Sequence, residues 1–478
     1  MTLSEVRELA RASLRRRFQR SGKIETRKLQ YPNQRSKRFN AFQRLGDVIR
    51  YEGVIVASQT GKTNEHGLRR AFVVVIDGCG IGAAPDAAEF GDLDNCNTLA
   101  NTARETGGLK LPNMARLGLG NIAPIAGVQA IEKSVGMFGK LQECSNGKDT
   151  QTGHWEMMGV VNDIAFPYYP QGFPDDVIQR FIDETGCKGV LCNKPASGTA
   201  VLDELGEEHQ RTGFPIVYTS GDSVFQIATH ESTVPLETLY KWCEIARRQL
   251  QGKHRVGRVI ARPFTGTPGN WKRMSGARHD YAVPPPSPTL LDALSAKGIG
   301  VFGIGKIEDI FTGQGLTHAQ HTGSNQEGLE LTLQSITNQV DYEKVRLAKE
   351  KPEHVQFVFT NLVDTDSLFG HRRDAKGYAA ALSEIDEWLG KILKSMTNDD
   401  LLIISSDHGN DPTAPGTDHT REFVPLLAYS PGFQSASDLN VGIRDGFTDV
   451  AASVADWVGT KWDGPGVSFV SSARAAMV

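Results

Sequence analysis

The sequence predicts a doubly wound, mostly parallel α/β fold with a second α/β unit inserted into it. Three observations carry the prediction. Apolar, β-branched runs alternate with amphipathic helical stretches, several runs stop at Asp or Asp-His followed by glycine, and two proline clusters bracket about 120 residues. Near-continuous apolar strands are what a parallel sheet covered on both faces requires.

The first such run, Ala71 to Ile76, ends in Asp77-Gly78-Cys79-Gly80. Similar runs recur at Ile299–Ile304, Gln356–Val363, Leu401–Ser405 and Val424–Tyr429. Between the third and fourth, Ala381, Leu382, Ile385, Trp388, Leu389 and Ile392 repeat at helical spacing, which predicts a helix over Tyr378–Met396. Asp341–Glu353 is charged and reads as a solvated helix or loop. The proline-rich stretches Ala165–Pro174 and Pro284–Pro288 flank a segment with its own strands, Ile216–Thr219 and Arg258–Ala261. The expected organisation is a core of residues 69–164 and 284–478, discontinuous around an inserted cap at 165–283.

Composition narrows the class. The chain has 478 residues, 39% of them apolar, and no uninterrupted apolar run approaches the ~18 residues of a membrane helix. Six scattered cysteines without a C-x-x-C pair suggest neither a disulfide framework nor a structural zinc site, and fit a reducing cytoplasm. Charge is uneven: residues 1–70 hold 17 Lys and Arg against 6 Asp and Glu, and the remainder 35 against 50. Residues 1–68 are Arg-, Gln- and Ser-rich with few apolar positions, so disorder is expected there. An organellar address, nucleic-acid contact or a start placed too far upstream are the alternatives. Neither a nucleic-acid nor a protein partner is expected of the chain.

The chemistry lies at the strand ends. Asp77 follows one run, Asp364-Thr365-Asp366 with His371 follows another, and Asp407-His408, with His419 shortly after, follows a third. Groups just past the carboxyl ends of different strands converge on one crevice in an open α/β sheet. Three Asp and three His are too many for one catalytic ion with an open position, but suit two ions ~3.5–4 Å apart. Mixed carboxylate and imidazole donors favour Mn²⁺ or Zn²⁺ over Ca²⁺. Asp364 and Asp366 compete for one place; Asp366, five residues before His371, is preferred. Asp407 and His408, as neighbours, can serve one site only if the backbone leaves β geometry, and Gly409 would permit the turn. Asp418 reads as an orienter of His419 or a turn residue.

The polar segment Ser145–Gly147, then Lys148-Asp149-Thr150-Gln151-Thr152-Gly153-His154-Trp155-Glu156, reads as a turn entering a helix. A threonine there is ordinarily a cap. Beside a two-cation site, however, its hydroxyl can be activated as a nucleophile, and the helix start would offer N–H groups to a phosphate.

That motif, together with Asp407–Pro412 and Thr417–Glu422, resembles the phosphopentomutase family of the alkaline phosphatase superfamily. The resemblance runs from about residue 70 to the C-terminus and includes Asn193–Thr199, Tyr218–Ser223, Gly257–Phe264 and Phe369–Asp374. It implies a core of alkaline-phosphatase type. It further implies that Thr150 carries the phosphoryl group, that one Mn²⁺ is held by Asp366, His371 and His419, and that another is held by Asp77, Asp407 and His408. Mg²⁺, Co²⁺ or Zn²⁺ would be substitutes. Asp222 would face the pentose, while Arg258, Arg273 and Lys306 would grip phosphate.

The implied reaction interconverts ribose 1-phosphate and ribose 5-phosphate, and their deoxy counterparts, through phosphothreonine and a pentose 1,5-bisphosphate, with a sugar bisphosphate as activator. The cap would exclude water. The rivals are an enzyme like the cofactor-independent phosphoglycerate mutases, expected to use serine, and a metal-dependent phosphatase. No cysteine begins the C-x-[PA]-x-R pattern of a sulfatase. Gly78-Cys79 departs from the family, but no partner is evident that would activate this thiol.

Overall fold

The computed structural model describes residues 67–220, 223–347, 352, 354–435 and 439–471. The basic segment 1–66 and Asp222 lie outside the described residues. In chain order the strands are β1 (Arg70–Ile76), β2 (Met137–Leu141), β3 (Leu191–Pro195), β4 (Ile216–Thr219), β5 (Val224–His230), β6 (Arg258–Thr267), β7 (Asn270–Arg273) and β8 (His279–Ala282). They continue as β9 (Gly300–Ile304), β10 (His318–Gln320), β11 (Arg346–Leu347), β12 (Val355–Leu362), β13 (Asp400–Ser405), β14 (Val424–Tyr429) and β15 (Asn440–Arg444).

Among the described residues nine strands form the larger sheet, in the order β11-β10-β9-β12-β1-β13-β14-β2-β15. The central run from β10 to β13 is parallel throughout. Only β11 and β14 run against it, which makes the sheet mostly parallel. β11 corrects the expected helix or loop over 341–353: a short edge strand bonded to β10 forms part of it.

β1 shows why the strands read as unbroken apolar runs. Its alternate residues Ala71, Val73 and Val75 join one buried cluster, with the helices Thr150–Met157, Leu290–Ser295 and Thr448–Val458. Phe72, Val74 and Ile76 join the cluster on the other face, beneath Thr98–Thr106, Asn325–Ile336 and Ala375–Ser395. Helices cover both faces, so no position from Ala71 to Ile76 can be polar without cost.

The second sheet, β3-β4-β5-β6-β7 with β8 on β6, is built entirely from residues 191–282. The helices Asp175–Thr185 and Leu236–Gln249 pack on the face carrying Val217, Phe225 and Val259; Ala200–Thr212 packs on the face carrying Ile216 and Tyr218. This is an α/β unit inserted between core elements. It meets the core beside the helix Thr150–Met157, where Gln151 Nε2 lies 3.5 Å from Val283 O. Among the described residues no helix is long and apolar enough to cross a membrane.

Candidate metal centre and nucleophile

β12, β1 and β13 are adjacent and parallel, with Val75 level with both Asn361 and Ser405. Their carboxyl ends therefore finish side by side, and the side chains that follow share one crevice. Asp77 follows β1 directly. After β12 the chain forms one π-helical turn, Thr365–Gly370, closed by His371 N–H donating to Asp366 O at 3.1 Å. In an α-helix a five-residue separation would turn Asp366 and His371 about 140° apart. The wider turn brings them to one side, with His371 Nε2 3.4 Å from Asp366 Oδ2.

Asp364 takes no part in this, because its Oδ2 accepts the N–H of Asn325, the first residue of the helix Asn325–Ile336, at 2.7 Å. After β13 the chain leaves strand geometry at Ser406, as sharing of one site by Asp407 and His408 requires. The reason for Gly409 is not a left-handed turn: a Cβ there would collide with the carboxylate of Glu422.

Asp77, Asp366, Asp407 and His408 are buried, and His371 and His419 are half-buried. Among the described residues, metal-donor atoms within 4.8 Å of one another form two groups, Asp366-His371-His419 and Asp77-Asp366-His408. Asp366 belongs to both. Asp407 falls outside both groups, although its Oδ2 is 3.3 Å from His408 Nε2.

Each of the three imidazoles points Nδ1 at a backbone carbonyl: His371 at Thr417 O (2.7 Å), His419 at Lys148 O (2.8 Å) and His408 at Gly409 O (3.1 Å). Carbonyls only accept, so Nδ1 carries the proton and Nε2 turns a lone pair inward. Two buried carboxylate oxygens, Asp77 Oδ1 and Asp407 Oδ2, accept no hydrogen bond. Burial, then the charges of Asp407 and Asp366, push the Asp77 carboxyl well up. Unpartnered carboxylate oxygens and converging lone pairs are the environment a divalent cation satisfies, so the residues fit the implied ions.

Thr150 opens the helix Thr150–Met157, and its Oγ1 lies 3.3 Å from His408 Nε2. The N-cap is Asp149, whose Oδ1 accepts Gln151 N–H at 3.1 Å and Thr152 N–H at 3.2 Å. Those two first-turn donors are thus taken up by the protein, contrary to the expectation that the helix start offers its N–H groups to phosphate. Asp418 accepts its neighbour's N–H, His419 N, at 2.8 Å and pairs with Lys148 Nζ at 3.3 Å, while His419 is oriented by the Lys148 carbonyl. Cys79 is buried and its thiol is pushed up to about 12 by that burial, so it stays protonated.

Of the expected phosphate contacts, Lys306 is exposed just past the end of β9, and its charge pulls the Asp77 carboxyl downward. Arg258 and Arg273 lie on the second sheet, Arg258 3.6 Å from Asp280 and Arg273 against Gly198 and near the Tyr218 hydroxyl. Sequence reasoning missed two groups at the centre. Asn410 Nδ2 donates to Asp366 Oδ1 at 2.7 Å, and His154, fully buried, has Nδ1 3.3 Å from Asp407 Oδ2. The sign of His154 was its spacing, one helical turn after Thr150.

A mostly parallel sheet with clustered Asp and His at its strand ends is the arrangement of a metalloenzyme, and a family model described as Metalloenzyme superfamily matches residues 69–462. The chain is 51% identical over 407 residues to a phosphopentomutase of Carboxydothermus hydrogenoformans, covering 85% of this chain and 100% of the relative. It is 51% identical over 389 residues to a phosphopentomutase of Caldanaerobacter subterraneus, covering 81% and 94%. Among solved structures, Leishmania mexicana phosphoglycerate mutase is similar over 85% of this chain and 98% of that one, at 12% identity and a TM-score of 0.43. The chain belongs to the phosphopentomutase family and is an isomerase.

Proposed function

We propose that this enzyme interconverts ribose 1-phosphate and ribose 5-phosphate, and the deoxyribose phosphates, in the cytoplasm, with Thr150 as phosphoryl carrier. The observation that carries the reading is the Thr150 hydroxyl at the edge of the convergent donors, 3.3 Å from His408 Nε2. Phosphorylated Thr150 gives its phosphoryl group to the free hydroxyl of the bound pentose phosphate, forming the 1,5-bisphosphate. The opposite phosphoryl group then returns to Thr150. A sugar bisphosphate would prime the first turnover.

Asp366, His371 and His419 would hold one Mn²⁺, and Asp77, Asp407 and His408 the other; Asp366 belongs to both donor groups. When bound, such cations neutralise charge on the phosphoryl oxygens and make the hydroxyl a better nucleophile. Mg²⁺, Co²⁺ or Zn²⁺ would substitute. Lys306 from the core and Arg258 and Arg273 from the cap, with Asp222 on the sugar, would hold the substrate. A cap spanning 165–283 would exclude the water that turns a mutase into a phosphatase.

The test is to incubate the enzyme and Thr150→Ala with Mn²⁺ and pentose 1,5-bisphosphate, then to assay Thr150 labelling and conversion of ribose 1-phosphate to ribose 5-phosphate. Thr150→Ala should keep its metal and lose both label and turnover. Label elsewhere, or free phosphate as the main product, would refute the reading.

A further inference from the structure

His154 is fully buried against Phe359, with ring centroids 5.6 Å apart, and lies one helical turn beyond Thr150. Its protonation pattern follows from its neighbours. Asp77 Oδ2 accepts Asn361 Nδ2–H at 2.8 Å, so the Asn361 amide must turn its NH₂ toward this corner. The same nitrogen lies 3.3 Å from His154 Nε2, which therefore accepts. Nδ1 carries the proton and donates it to Thr150 O at 2.8 Å, with Asp407 Oδ2 3.3 Å away. One ring thus spans from the nucleophile's own carbonyl to the amide that holds Asp77. Its neighbour Gly153 lets the helix press directly on Asp407, because a Cβ at Gly153 would collide with the Asp407 carbonyl.

We propose that His154 is a positioning residue for phosphoryl transfer: as a neutral Nδ1–H donor it registers the Thr150 backbone against the Asp407 and Asp77 carboxylates. It touches no substrate and exchanges no proton. The proposal rests on the reading of Thr150 as phosphoryl carrier. A misplacement of about 1 Å can cost 10²-fold in rate, so a residue that only sets register can matter as much as one that reacts.

Asn at this position can return a donor near the Nδ1 location, whereas Gln places its polar group near Nε2. His154→Asn should therefore retain turnover within about tenfold of wild type. His154→Gln and His154→Leu should lose more than about 100-fold in kcat, with KM changed less than threefold. Intact-mass measurement should show the rate of Thr150 labelling by pentose 1,5-bisphosphate falling in step with kcat. Mn²⁺ titration of the cation-free proteins should still fill the Asp366-His371-His419 group.

Equal activity of the Asn and Gln variants, or wild-type labelling rates in His154→Leu, would overturn the proposal. If His154→Leu does not fold, the Asn and Gln pair still decides. Wild-type enzyme that takes no label at Thr150 would instead sink the carrier reading, and this proposal with it; labelled wild type with an indifferent His154→Leu sinks the proposal alone.

Discussion

His371 Nε2 and His419 Nε2 face each other at 3.1 Å, each ring having committed Nδ1 to a backbone carbonyl. Two lone pairs at that distance are compatible only with a proton or a cation between them. Burial pulls both imidazoles down, and for His419 the His408 ring adds to this; the Asp366 carboxylate overrides it and holds both above the ordinary histidine value. Without cations, the stability these groups contribute is therefore complete below about pH 6.5 and is lost as pH rises through their higher folded values. Cation binding displaces the same protons. Mn²⁺ affinity measured by calorimetry between pH 5.5 and 8 should rise by up to about tenfold per pH unit for each proton displaced, and a flat profile would contradict the arrangement.

Asp77 responds to its surroundings in the opposite sense from an ordinary surface carboxylate. Burial, then Asp407, then Asp366 raise its pKa, so in the cation-free protein its contribution to stability is complete below about pH 3.9 and is lost as pH climbs. Asp77→Asn removes the buried charge and can still offer an oxygen to Asn361. At pH 8 the chelator-treated variant should be more stable than chelator-treated wild type by about 0.5–2 kcal/mol, while elemental analysis shows fewer bound cations. A less stable cation-free variant would mean that the carboxylate is already satisfied by the protein alone.

Gly153→Ala tests how tightly the nucleophile's helix is seated. The added methyl would meet the Asp407 carbonyl, a backbone atom that cannot swing aside. Overpacking of this kind costs about 1–3 kcal/mol, and the helix shift should lower kcat on the order of 100-fold. Gly276 has open space around it, so Gly276→Ala is the matched control and should leave melting temperature and kcat unchanged.

The sequence made β1, β9, β12, β13 and β14 legible because each is buried on both faces and so reads as an apolar run. The same logic exposed Asp77 and Asp407, since a charged residue ending such a run is conspicuous. β15, with exposed Asn440, Gly442 and Ile443, carries no such signal, and neither does two-residue β11. Irregular β3 is hidden by Cys192 and Asn193 at φ 80° and 49°. At the site, what escaped was the support. The roles of His154 and Asn410 come from contacts between distant segments, and the preference for Asp366 over Asp364 acquires its physical reason only in the π-turn.

Arg421 shows how far that support extends and gives the last expectation. It is 2% exposed and donates to the Asp86 carboxylate at 2.8 Å and to Glu143 Oε2 at 2.6 Å. It also donates to the carbonyls of Glu143, Ser145 and Gly147. The loop it pins leads straight into Lys148, whose carbonyl orients His419, and into Thr150. Burial lifts the Glu143 carboxyl, and Arg421 is the charge that pulls it back down. Arg421→Met should cost about 3–5 kcal/mol, because it leaves a buried carboxylate without its partner. If that orphaned charge is the main cost, Arg421→Met combined with Glu143→Met should be more stable than Arg421→Met alone, as read from urea denaturation of the cation-loaded proteins. Additive losses would instead place the cost in the three abandoned carbonyls and the loosened loop, and Mn²⁺ affinity should then fall equally in the single and the double variant.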